Sequence, residues 1–94
     1  MSVQTNVPVV PVVPHVRARL QIVTQNEAVE FINALCDGKT TDHFDLENFA
    51  STQRVNARSI LGVLYATAEF KDEIYLVNLD NDGVFPAAID KFRA

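Results

Sequence analysis

Ser59 stands where an extended stretch, Val55-Asn56-Ala57-Arg58, gives way to helical spacing. Its hydroxyl can accept one of the backbone N–H groups that the first turn of a helix leaves unpaired. The same junction suits an anion, because those free N–H groups and the helix dipole favour negative charge, and Arg58 adjoins it. A phosphate on Ser59 would bring about −2 charge among those donors. Ser59 is therefore read both as a helix cap and as a candidate for regulatory phosphorylation. Gly62 falls in the first turn that follows, where glycine costs about 1 kcal/mol relative to alanine, so a close approach to its backbone is expected.

Other reactive side chains are few. The imidazoles are His15 and His43, and no acid, serine or cysteine is spaced so that it must meet either. Both are read as surface residues. Cys36, the single cysteine, falls near a helix end without electropositive neighbours and is read as core. Asn78, Asp80, Asp82 and Gly83 match the opening of an EF-hand loop, but Ile89 stands where the bidentate glutamate is required. A turn is expected there. No catalytic residue, metal site or cofactor follows from these residues, and the chain is read as a non-enzyme.

The elements that position them follow from periodicity. Arg17 to Thr24 alternates as a strand, with Ala18, Leu20 and Ile22 on one side. Thr24-Gln25-Asn26-Glu27 fits a capping box, and Ala28, Phe31, Ile32 and Leu35 behind it form one helical face that Asp37-Gly38 ends. His43 to Phe49 and Gln53 to Ala57 read as strands separated by a turn. The Ser59 helix, with Ile60, Val63, Leu64, Thr67 and Ala68 on its apolar face, fades near Phe70. Glu73 to Leu79 is apolar enough for a buried central strand. Pro86 opens a last helix that buries Phe85, Ala88, Ile89 and Phe92. The order is β-α-β-β-α-β-α, an α+β fold with a four-stranded sheet covered on one face by three helices. The strands feeding the first two helices are expected to be parallel, so Thr24–Glu27 and Ser59 are expected to meet at one edge of the sheet, with His43 at the far end.

Before this domain, at 17–94, comes an arm at 1–16 in which Val7-Pro8-Val9-Val10-Pro11-Val12-Val13-Pro14 must be extended or polyproline-like. It is either an unstructured tail or an arm that packs on a neighbouring subunit and promotes self-association. With 94 residues there is room for one core. The net charge of −4 argues against nucleic-acid binding. No apolar run approaches the roughly 18 residues of a membrane span. The unpaired cysteine and the missing signal-peptide pattern lead to the expectation of a cytoplasmic protein.

With this order and this junction, Arg17 to Ala94 resembles the HPr-like proteins of the bacterial phosphotransferase system. The resemblance is carried by Val55-Asn56-Ala57-Arg58-Ser59-Ile60-Leu61-Gly62-Val63, by Phe44-Asp45-Leu46 and by Ala88-Ile89-Asp90-Lys91-Phe92. It implies an open-faced β-sandwich and places Ser59 at the family's regulatory serine. A phosphocarrier of that family has Gly-Ile-His-Ala-Arg-Pro-Ala where this chain has Thr24-Gln25-Asn26-Glu27-Ala28-Val29-Glu30. The resemblance therefore implies a regulatory or binding module that lacks the phosphorylatable histidine. It would meet a protein partner, of the phosphotransferase system or a regulatory protein, through Thr24, Gln25, Asn26, Glu27, Arg58, Ile60, Leu61 and Gly62. The alternatives are an ACT-like small-molecule sensor, or a phosphocarrier that uses a non-standard residue.

Overall fold

The computed structural model describes residues 15–94. The expectations for the Pro/Val arm fall mostly on residues 1–14 and lie outside the described residues. The elements are β1 (Ala18–Leu20), α1 (Gln25–Asp37), β2 (Phe44–Glu47), β3 (Arg54–Asn56), α2 (Ile60–Glu69), β4 (Ile74–Asn78) and a closing 3-10 helix (Ala87–Phe92). The expected order stands, as an α+β fold with one four-stranded sheet. Its strands lie β1-β4-β2-β3, and every neighbouring pair is antiparallel.

The route of the chain explains this order. A short turn joins β2 to β3 as a hairpin. Asn48 builds it, its side-chain oxygen accepting the N–H groups of Thr52 and Gln53 at 2.9 and 3.1 Å. Helix α1 carries the chain from β1 to β2, which run parallel on either side of β4. Helix α2 likewise joins β3 to β4, with β2 between them. The central strand β4 is where the apolar run Ile74-Tyr75-Leu76-Val77 put it, and Ile74, Leu76 and Val77 are buried.

The register places Leu20 beside Ile74, and Ala18 and Leu46 on either side of Leu76, with all five facing the helices. Against them α1 buries Ala28, Phe31, Ala34 and Leu35. The capping box is complete: the Thr24 hydroxyl accepts the Glu27 N–H at 3.1 Å, and the Glu27 carboxylate accepts the Thr24 N–H at 2.9 Å. The helix stops as expected at Asp37, but Gly38 keeps right-handed geometry and the left-handed residue is Lys39, at φ 54°.

Several details correct the sequence reading. On α2 the buried residues are Val63 and Ala66, with Phe70 at its end, whereas Ile60 and Ala68 face outward and Leu64 is half-buried. The apolar face is therefore rotated from the expected one. Alanine and threonine are too weakly patterned to fix its phase. Cys36 is exposed and not core, because Ala34 and Leu35 are the residues of that turn which face the sheet. The last helix has 3-10 geometry. Its six residues turn inward every third position, which buries Ile89 and Phe92 and leaves Ala88 outside.

Gly62 meets the close approach expected of it. A Cβ there would lie 2.7 Å from the Asn56 carbonyl oxygen. Gly62→Ala should therefore destabilise the fold by about 1–3 kcal/mol despite alanine's better helix propensity, as overpacking does. Thermal unfolding of the two proteins side by side measures it, and an unchanged or higher melting temperature would show that α2 shifts freely away from β3.

Candidate functional site

Ser59 is the N-cap of α2. Its backbone is extended, at φ −96° and ψ 125°, and its hydroxyl accepts the Gly62 N–H at 3.2 Å. Asn56 fixes the approach by accepting the Ser59 N–H on its carbonyl and the Arg58 N–H on its side-chain oxygen, at 3.2 and 2.8 Å. Outward from this turn stand Leu61, 77% exposed, and Ile60, 38% exposed. The site thus combines a capped helix end with two solvent-facing aliphatic side chains in its first turn.

Arg58 is committed elsewhere. Its guanidinium donates to the Thr40 carbonyl at 2.9 Å and lies 5.6 Å from the centre of the Phe44 ring. Its Nε is buried without a hydrogen-bond partner among the described residues.

The other expected binding residues are not beside this site. Leu20, at the exit of β1, pairs with Ile74 at the start of β4. Phe44 pairs with Asn78 at the end of β4 and accepts the Ala57 N–H that leads out of β3. Strands β1 and β3 therefore run in opposite directions. Thr24, Gln25, Asn26 and Glu27 lie at one end of the sheet, and Arg58, Ser59, Ile60, Leu61 and Gly62 lie at the other. A five-residue strand, about 13 Å, separates the ends. The expectation of a single surface at both helix N-termini is corrected by the β2–β3 hairpin, which reverses the chain between the two helices. Glu27 is occupied locally: hydrogen bonds from the Thr24 and Val23 N–H groups hold its carboxyl below the usual range.

His43 also changes place. It lies just before β2, at the Ser59 end of the sheet and not the far end, and it has an acidic partner. Asp80 accepts its backbone N–H at 2.7 Å and lies 2.9 Å from its ring Nδ1. His15 similarly approaches Asp82, at 3.2 Å. The segment between is a turn, as expected, and buried Asn78 organises it. Its side-chain oxygen accepts the N–H groups of Asp80 and Asn81, both at 2.9 Å, and its amide donates to Asp42 and to the Val84 carbonyl, also at 2.9 Å. The Asn78 and Asn81 amides hold the Asp42 carboxyl below its ordinary range, and the His43 N–H does the same for Asp80. Gly83 takes φ 80° to complete the turn. Neither His–Asp contact is visible as a sequence spacing, since 37 and 67 residues separate the partners.

Among the described residues no three His, Cys, Asp or Glu side chains are grouped to hold a metal ion, and no helix is long and apolar enough to cross a membrane. Compared with protein-family models, with curated proteins and with solved structures, the chain matches none.

Proposed function

We propose that this chain is a non-catalytic binding module of the HPr-like kind, recognised by a protein partner at the N-terminal turn of α2 and regulated by phosphate on Ser59. The observation that carries this reading is the pairing of a capping hydroxyl with Leu61 and Ile60, which project into solvent from the same turn. A phosphoryl group on Ser59 would sit against free N–H groups and the positive end of the helix dipole, so the fold tolerates it. It would also place charge at the edge of an aliphatic contact, where it repels or recruits a partner without unfolding the domain. The resemblance around Arg58-Ser59-Ile60-Leu61-Gly62 supports the same residue. Thr24, Gln25, Asn26 and Glu27, at the other end of the sheet, are left out of this surface.

The absence of any histidine between Val23 and Glu30 sets the activity apart from histidine phosphotransfer. The test is binding of three proteins to the partner recovered by affinity purification. Ser59→Ala should lose about 1 kcal/mol of stability with the cap and still bind. Ser59→Asp keeps a capping side chain, should fold normally, and should change the affinity. Equal binding by Ser59→Asp and the wild type, with no phosphate on Ser59 in cells, would leave Ser59 a cap only.

A further inference from the structure

The outer surface of α1 and α2 is acidic. All eight lysines and arginines of the chain lie outside these helices, which between them hold Glu27, Glu30, Asp37 and Glu69. Glu27 is taken up by its capping box. Glu30, Asp37 and Glu69 are exposed and form no ion pair among the described residues. Lys91 lines the hollow beside Glu30 and Asp37 without pairing with either. Between the acids the helices turn apolar side chains to solvent. On α2 these are Leu61, Leu64, Tyr65 and Ala68, at i, i+3, i+4 and i+7, opposite the residues Val63, Ala66 and Phe70 that meet the sheet. On α1 they are Val29, exposed, and Ile32, half-buried. With Glu69 as its single charged residue, α2 is apolar all round, the pattern of a helix covered on both sides.

Helix α1 leads from the exit of β1 to the start of β2, and α2 from the exit of β3 to the start of β4, so the two pack side by side and antiparallel. Val29 and Glu30 therefore lie toward the Ala68–Glu69 end of α2, and Asp37 toward the Leu61 end. Glu30 and Asp37 are two turns apart on one side of α1. The outcome is a straight apolar strip with carboxylates at both ends. We propose, on the reading of the first turn of α2 as a contact surface, that this strip receives a basic amphipathic helix of a partner protein. Its aliphatic side chains lie on Leu61, Leu64 and Ile32, and its lysines or arginines meet Glu30, Asp37 and Glu69.

Shape and charge favour this occupant over another. Amphipathic helices dock through anchors at i, i+3, i+4 and i+7, and they lie lengthwise on apolar strips of this kind. Two helices side by side, about 20 Å long and about 20 Å across, offer on the order of 600 Å² to a partner, the lower limit of a specific interface. Opposite charge at the rim of such a contact speeds encounter and fixes register, and like charge rejects the wrong partner. A second copy would bring its own Glu30, Asp37 and Glu69 against this face, in a chain whose net charge is −4. An acidic peptide or an anionic lipid surface is repelled in the same way.

The experiment titrates the full nitrogen-15 chain with two synthetic peptides. Both place leucines at i, i+3, i+4 and i+7; one carries lysines on the remaining face and the other glutamates. The lysine peptide should move the amides of Val29 to Asn33 and of Leu61 to Glu69 and leave those of Tyr75 to Val77 in place, whereas the glutamate peptide should move none. Glu30→Lys combined with Glu69→Lys should weaken the lysine peptide by about tenfold or more and let the glutamate peptide bind. Leu61→Ser, at an exposed position, should fold normally and weaken the lysine peptide by a similar factor. Failure of these results would leave regulation at Ser59 standing, since that is read from the affinity of Ser59→Asp for the purified partner. Shifts spread over the whole surface, or an affinity indifferent to the charge reversal or to Leu61→Ser, would overturn the proposal. So would the same amides moving with protein concentration in the absence of peptide, which would assign the face to a second copy.

Discussion

Phe31→Ala is expected to cost about 3–5 kcal/mol, a large part of the 5–15 kcal/mol that holds a typical domain together. Phe31 is wholly buried on α1 and meets Phe92 edge to face, with ring centres 5.6 Å apart and planes at 89°. It therefore ties the first helix to the last, two elements far apart in sequence. Truncation removes the transfer energy of the ring, leaves a cavity between two helices and the sheet, and ends an aromatic pair worth about 0.5–1.5 kcal/mol by itself. The denaturant midpoint should fall sharply with little change in slope. A midpoint close to the wild type would mean that the 3-10 helix does not dock as described.

Asn78→Ala should follow closely, at about 2–3 kcal/mol, for a different reason. Asn78 is 1% exposed, and its side chain makes four hydrogen bonds that no neighbour can replace. Removing it leaves polar groups unpaired in and beside the core, each at a cost of about 1–3 kcal/mol where water cannot reach. The signature goes beyond stability. Asp42 has its carboxyl lowered chiefly by the Asn78 amide, so its contribution is present above the ordinary carboxylate range and lost as pH falls through the lowered value. In Asn78→Ala the Asp42 titration, followed by NMR, should move back up toward its ordinary value. An unmoved titration would show that Asn81 alone holds that carboxylate.

What could be read from the sequence was what depends on neighbours in the chain. Thr24 and Glu27 announce α1 because a capping box lies within four residues, and Ser59 announces α2 in the same way. The run Ile74 to Val77 reveals a central strand because burial on both faces removes alternation. The face of α2 was misread because Ala66 decides it and alanine gives little signal. The single binding surface failed on direction. The turn between the strands at His43–Phe49 and Gln53–Ala57 is legible in the sequence, but the reversal of β3 relative to β2 that it makes is not, because periodicity assigns strands without pointing them. The contacts of His43 with Asp80 and of His15 with Asp82 needed the finished topology. So did the burial of Glu47, which comes from Arg17, Arg54 and Ser51 packed around its carboxylate.

The last residues of the described chain give the sheet a further property. Arg93 bridges Leu20, the Gln21 N–H bonds to the Phe92 carbonyl at 2.7 Å, and the Ala94 N–H bonds to the Arg19 carbonyl at 3.0 Å. These bonds occupy the outer rim of β1, while the opposite rim, β3, is three residues long. Open rims are templates on which other chains add strands, in amyloid as in peptide capture. With one rim sealed by its own backbone and the other too short to propagate, this sheet is poorly suited to growing by strand addition. Colloidal stability and selectivity thus share one origin: whatever associates with this domain must read its side chains.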